Sequence, residues 1–506
     1  MTFPWLTTLI AVPLLGAALT ALVPRGLEVA AKKLALFIAV VTAILTVIAA
    51  VAFVADGGTE QFVEQYEWVG SLGVFYAVGA DGISLSLILL TAVVTPIVLL
   101  AMWREAEHRN PKPFFALILL LEAMIIGTFA AEDVLLFYVL FEAMLVPMYF
   151  LIGLYGGPQR RYAAVKFLLY NLLGGLVMLA AVIGLYVQSV DAGQPSFLLS
   201  DLVALDIPVE IQRWLFLGFM FAFAIKAPLW PFHTWLPDAA AEATPANAAY
   251  LSGVMDKVGT FGMIALVLPL FPDASREFAP AVVVLAVISI LYGALLAVAQ
   301  TDMKRLIAYT SISHFGFIVM GIFALTSQGA AGSTLYMVNH GLSTVALFVI
   351  VGYMIVRRGS RLVADYGGVA QPAPILAGSL LFAGLSGLAL PGLATFVSEF
   401  LVLVGTYSRY RIAAIVATVG IILAALYILL FYQRTMTGPA RDATRNFVDL
   451  RRRELLIVAP LVALLLAIGF FPKPLLDVID DGVQPTLAEV DESDPEPITP
   501  TAEGSE

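Results

Sequence analysis

Phe223-Ala224-Ile225-Lys226-Ala227-Pro228-Leu229-Trp230-Pro231 sets a lysine in an apolar run long enough to enter a bilayer and follows it at once with two prolines. A charge at the centre of a membrane helix costs roughly 2.5 to 3.5 kcal/mol on insertion scales, so a chain that keeps one has a partner and a use for it. The prolines remove backbone donors and break the helix, which a membrane tolerates only where protein or a watery cavity shelters the freed groups. A charge beside a broken helix is therefore a candidate ion site. The stretch from Ile211 to Met263 contains a second such lysine, Lys257, in the next apolar run.

Working outward, the whole chain has this apolar character. It has 506 residues, of which 60% are hydrophobic and 13% charged, with a mean hydropathy of +0.94. A soluble protein carries about 25% charged residues, so most of this chain faces lipid or other apolar helices. The net charge of -10 comes from acids gathered in a few loops and in the tail. It describes topology, not an acidic or nucleic-acid-binding role, and no nucleic-acid partner is expected. The chain has no cysteine, which rules out disulfides, thiolate metal sites and cysteine-held iron-sulfur clusters in it. The first apolar run, Phe3 to Val23, lacks a basic leader and a clear cleavage site and reads as a retained membrane helix.

Runs of roughly 20 apolar residues, enough to span about 30 Å of hydrocarbon, fall near 3–23, 34–54, 81–102, 113–131, 133–154, 163–187, 211–230, 247–271, 279–299, 305–325, 332–356, 373–407, 411–433 and 453–471. The expected fold is an all-α integral membrane protein of about fourteen transmembrane helices. Basic residues collect in alternate loops, including Arg25 with Lys32 and Lys33, Arg104 with Arg109 and Lys112, Arg160 with Arg161 and Lys166, Lys304 with Arg305, and Arg357 with Arg358 and Arg361. The positive-inside rule makes those loops cytoplasmic and puts both termini on the periplasmic side of a bacterial inner membrane. Arg409 and Arg411 break the alternation.

Pro-Gly breaks recur in the seventh span, Pro228 to Pro237, and in the twelfth, Pro391-Gly392. This suggests three N-terminal helices (1–112), a five-helix unit (113–271), a second, inverted five-helix unit (279–436) and a last helix (453–471). In each unit the broken helix is fourth. Residues 488–506, rich in Pro, Asp, Glu, Ser and Thr, are expected to form a disordered acidic tail.

Ionisable groups deep within spans form a short series: Glu122, Glu142, Lys226, Asp256, Lys257, His314, His340 and Glu399. Glu142, mid-span and five residues before Pro147, is the candidate carboxylate partner of Lys226, and Glu122 in the preceding span is a candidate second acid. Burial favours the neutral form of each group and an opposite charge favours the ionised form, so a lysine whose partner moves is a proton switch. His314 and His340 are candidate relays, because imidazole accepts on one nitrogen and donates on the other. No third ligand has the spacing of a metal site. Asp256 adjoins Lys257, but sequence neighbours do not share a helix face. His233 is expected at the membrane interface and His108 in a loop.

At these residues the sequence resembles the antiporter-like membrane subunits of respiratory complex I, the proton-pumping NADH:quinone oxidoreductase, and among them the M-type chain. The resemblance covers nearly the whole chain. It is carried by Phe141-Glu142-Ala143-Met144-Leu145-Val146-Pro147-Met148-Tyr149, by the run from Lys226 to Ala239, by the run from Asp302 to His314, and by Phe396-Val397-Ser398-Glu399-Phe400. It implies an ion pair at Glu142 and Lys226, a central lysine at Lys257, polar relays at His314 and His340 and a terminal acid at Glu399. Related antiporter subunits usually have lysine at that last position, which is why the M type is favoured.

Asp256 departs from the family pattern, which has an apolar residue there. The implied activity is proton translocation driven by redox chemistry in other subunits. NADH, FMN, iron-sulfur clusters and quinone would be held by partner subunits and no cofactor by this chain. The implied partners are the other membrane subunits of complex I, especially two further antiporter-like chains, and the lipid bilayer. A subunit of a cation/proton antiporter, a subunit of a membrane-bound hydrogenase and a structural anchor remain as alternatives.

Overall fold

A computed structural model of the chain describes residues 3–56, 60–105, 109–490 and 493–495. Among these, twelve continuous helical stretches are long and apolar enough to cross a bilayer. Two interrupted crossings complete the set. One runs Val209–Lys226 and resumes at Trp235–Glu242, and the other joins Pro374–Gly387 to Ala394–Arg409. The total of about fourteen agrees with the hydropathy reading, and the breaks fall at the proline clusters.

Burial separates these helices into two kinds. The N-terminal stretches Trp5–Leu22 and Glu28–Val54 are only 33% and 28% buried, and their exposed faces carry Leu15, Leu19, Phe37 and Val51. Pro245–Leu270 and Ser327–Arg358 are each 94% buried, and Met303–Ile322 is 89% buried. The membrane-depth lysines and histidines after Lys226 lie on these three, so the protein keeps them away from lipid.

Two elements cap one end of the bundle, and neither is among the membrane spans read from hydropathy. Gln61–Val69 and Val74–Ala80 form an antiparallel hairpin, with Tyr66 opposite Tyr76. Its turn is closed by Gly73 in the left-handed region, φ 64°. Thr7 reaches from the first helix to Glu64 on this hairpin and lies 2.8 Å from the Tyr76 hydroxyl. The second element is the helix Lys473–Glu489, which buries Ile479, Gly482, Val483 and Leu487. Gly82 packs against the Val478 carbonyl of that helix, so closely that a Cβ would collide with it. The expected disordered tail from 488 begins inside this helix. Asp494 accepts from the Ser327 amide at 2.8 Å, while 491–492 and 496–506 lie outside the described residues.

Candidate functional site

Lys226 is the last residue of its helix, where the Ala227 amide donates to the Phe223 carbonyl at 2.8 Å. Beyond it, side chains repair the backbone broken by the prolines. The Trp235 indole N–H donates to the Ile225 carbonyl at 2.9 Å, and the Trp230 amide donates to the Ser289 hydroxyl at 3.1 Å. This is the shelter that a broken helix needs at membrane depth.

The Lys226 ammonium is fully buried, lies 4.7 Å from the centre of the Phe141 ring and has no hydrogen-bond partner among the described residues. Glu142 lies within electrostatic range of it. The two are thus neighbours held by charge and by the ring face, without a hydrogen bond between them. Gly175 makes room for the Glu142 carboxylate, and a Cβ there would collide with it.

Lys257 sits in the middle of Pro245–Leu270, between two π-helical turns, Leu251–Met255 and Met263–Val267. Such turns carry an extra residue and occur frequently at functional sites. The Lys257 ammonium donates to the Ser252 carbonyl at 2.6 Å and to Nδ1 of His340 at 2.8 Å, and it lies 4.7 Å from the centre of the Phe315 ring. Glycines bring these helices together. A Cβ on Gly259 would stand 2.7 Å from the Ala227 nitrogen, and one on Gly341 would stand 2.7 Å from the Gly253 carbonyl. Small residues at helix crossings allow this approach, which sets Lys257 between Lys226 and His340.

From His340 the polar run continues. Its Nε2 lies 3.2 Å from the Ser311 hydroxyl, and its ring meets that of His314 edge-on at 5.1 Å. His314 Nε2 lies 3.4 Å from the Tyr427 hydroxyl. The Tyr336 ring is 5.8 Å from that of His314, and the Tyr336 hydroxyl donates to Glu399 at 2.8 Å. Glu399 follows the second helix break and is 4% exposed. At that break Asn339 donates to the Ala394 carbonyl at 2.7 Å.

The structure therefore brings Lys257, His340, His314 and Glu399 into one series, hydrogen-bonded at its two ends and joined in the middle by ring contacts, with Glu142 and Lys226 near its start. Glu122 sits elsewhere. It is fully buried beside Thr95 and Tyr250, whose hydroxyls are 3.1 Å apart. His233 is 2% exposed and packs on Tyr292, so it is buried within the protein. His108 lies outside the described residues.

Sequence reasoning missed Tyr336, Tyr427, Ser252 and Ser311. Tyr336 stands four residues before His340, on the same helix face, and that spacing was a readable signal. Tyr427 comes from a distant helix and had none.

On the face that carries the basic loops, a cavity of about 620 Å³ is lined by Lys304, Arg361, Glu242 and Thr244 among others. Lys304 donates to the Ala243 carbonyl at 2.6 Å, while Arg361 bridges Glu242 at 3.0 Å and Asp302 at 2.7 Å. Asp302 also caps its helix, accepting from the Lys304 amide at 2.9 Å. Nearby, Asp238 pairs with Lys166 at 2.7 Å and with Arg305. The run from Asp302 to Arg305 therefore works as a helix cap joined to an ion clamp.

Residues 131–426 match the family model described as "NADH:quinone oxidoreductase/Mrp antiporter, TM". The NADH-quinone oxidoreductase subunit M of Mycobacterium tuberculosis is 50% identical, with 98% of this chain and 96% of that one covered. A chain in the structure of respiratory complex I from Thermus thermophilus is 33% identical, with a TM-score of 0.88 over 96% of this chain and 99% of that one. A chain of the Mrp complex from a Dietzia species is 23% identical with a TM-score of 0.84, over 97% of this chain and 99% of that one, and shares the fold. The chain belongs to the transmembrane NADH:quinone oxidoreductase/Mrp antiporter family and, by identity along nearly all of its length, is of the subunit M kind.

Proposed function

We propose that the chain is the proton-translocating M-type membrane subunit of NADH:quinone oxidoreductase, driven by redox chemistry in other subunits of the complex. The observation that carries this reading is the buried series of polar groups from the Lys257 ammonium through His340 and His314 to Glu399, the first three on the most buried helices of the bundle and Glu399 itself 4% exposed. Protons enter from the cytoplasm through the cavity beside Lys304 and move toward Lys257. The neighbouring subunit biases the Glu142 and Lys226 charges. The proton then passes along the two histidines and the Tyr336 hydroxyl to Glu399 and out. Each step trades one charge state for another, so no net charge is stranded in low dielectric.

In this reading residues 113–271 and 279–436 are two inverted five-helix units, and both termini face the periplasm. Two other antiporter-like subunits are the neighbours, and NADH, FMN, iron-sulfur clusters and quinone are carried by partner chains. The test is proton release per NADH oxidised by the assembled complex in sealed vesicles. K226A and E399Q should each cut it while NADH:quinone turnover and assembly persist. Full pumping in both variants overturns the reading. Sodium-dependent exchange by membranes lacking NADH-linked activity would favour a separate cation/proton antiporter.

A further inference from the structure

Between Lys226 and Lys257 the polar run has a gap, since the Lys226 ammonium makes no hydrogen bond and that of Lys257 is turned toward Ser252 and His340. Asp256 directly precedes Lys257, on the helix whose Gly259 packs against Ala227 beside Lys226. It is fully buried, both of its carboxyl oxygens lack a hydrogen-bond partner, and it lies within electrostatic range of both lysines. Its position has a structural cause. Asp256 follows the π-turn Leu251–Met255, which displaces it from ordinary α-helical phase, and Gly259 presses the next turn against the Ala227 backbone beside Lys226.

Charge counting points the same way. Lys226 and Lys257 together carry two positive charges when protonated, and Glu142 supplies one negative charge near Lys226. A second carboxylate balances the set. An ionised carboxylate with no donor at this depth is otherwise expensive, and removing it strands an ammonium.

We propose that Asp256 carries the proton between Lys226 and Lys257. The inference rests on the transport reading above. In the first step the N–H bond of the Lys226 ammonium breaks and an O–H bond forms on the Asp256 carboxylate, leaving a neutral amine and a neutral acid. In the second, the acid gives that proton to the neutral amine of Lys257, restoring the carboxylate and creating the Lys257 ammonium. The total charge of the three groups is the same before and after each step. The carboxylate makes no hydrogen bond to either lysine in the resting arrangement, so each transfer requires a rotamer change of the lysine or the acid that brings donor and acceptor together.

The test uses the assembled complex in sealed vesicles, with protons released per NADH as readout. D256N should lose the same fraction of pumping as K226A, the D256N/K226A double variant should lose no more than either alone, and D256E should recover most of it. Redox-triggered infrared difference spectra supply a second readout. The intact complex should show a protonated-carboxyl carbonyl band that shifts in D256E, which also serves if D256N fails to assemble. Full pumping in D256N beside impaired K226A, or a carboxyl band unmoved in D256E, overturns the role of Asp256 and leaves the transport reading standing. Full pumping in D256N, K226A and E399Q alike overturns both.

Discussion

The ammonium nitrogen of Lys257 lies 2.8 Å from Nδ1 of His340, although the two residues are 83 positions apart in sequence. While Lys257 is charged its ammonium can only donate, so Nδ1 accepts and a neutral ring carries its proton on Nε2, which faces the Ser311 hydroxyl at 3.2 Å. The histidine is therefore ready to pass a proton on when one arrives at Nδ1. H340A leaves the ammonium with the Ser252 carbonyl as its one hydrogen-bond partner and removes an interaction worth about 1.5 to 3 kcal/mol. Pumping should fall severely and the melting temperature of the purified complex should drop. S311A keeps the lysine contact and should have the milder effect.

Tyr336 presents a hydroxyl to Glu399 at 2.8 Å, and Tyr427 presents one to His314 at 3.4 Å. Y336F removes the shorter of these contacts without changing ring volume. Stability should change by about 1 kcal/mol, while proton release per NADH falls further than in Y427F. Equal and full pumping in both single variants and in the double variant would place the exit route elsewhere.

Gly175 touches the Glu142 carboxylate so closely that any Cβ displaces it. G175A should therefore reproduce the pumping defect of E142Q although it removes no ionisable group. Shortening the acid in the double variant G175A/E142D should restore part of the activity. A G175A complex with unimpaired pumping would mean that the position of the Glu142 carboxylate does not matter.

Glu105 lies in the loop after the helix Gly82–Ala101, where it accepts from the Ala246 amide at 3.4 Å, and burial pushes its carboxyl up to about 7. The native state then holds a proton that an unfolded or opened chain releases near 4.5. Stability supplied by this group is full at low pH and falls as pH rises through that window, levelling off above about 7. Hydrogen exchange around Thr244 to Ala246, corrected for intrinsic rates, should become faster across the same interval. E105Q should abolish the pH dependence.

Much of this was legible because lipid makes charge conspicuous. Lys226, Lys257 and Glu399 stand out in apolar runs, and Pro228, Pro231 and Pro391 mark the two breaks. The hairpin Gln61–Val69 and Val74–Ala80 was hidden because its exposed Val63, Tyr66 and Trp68 obscure any clean polar face. The helix Lys473–Glu489 was hidden because its acids resemble those of the tail that follows. Tyr336 and Tyr427 look like ordinary core residues until the fold sets them beside His314 and Glu399. The two π-turns around Lys257 were not legible either, because apolar spacing is read against 3.6 residues per turn. The helix departs from that spacing on either side of Lys257.

Each π-turn holds one residue more than an α-helical turn needs, and that surplus sets the angular phase of everything beyond it. If Leu251–Met255 relaxed to α-helix with all its residues kept, the surplus residue would have to be taken up as extra twist. The chain on one side would then rotate by about 100° relative to the other. Lys257 could no longer face His340 while Tyr250 stayed against Thr95. The register of this one helix, more than the identity of the residues on it, determines whether the two halves of the polar run meet.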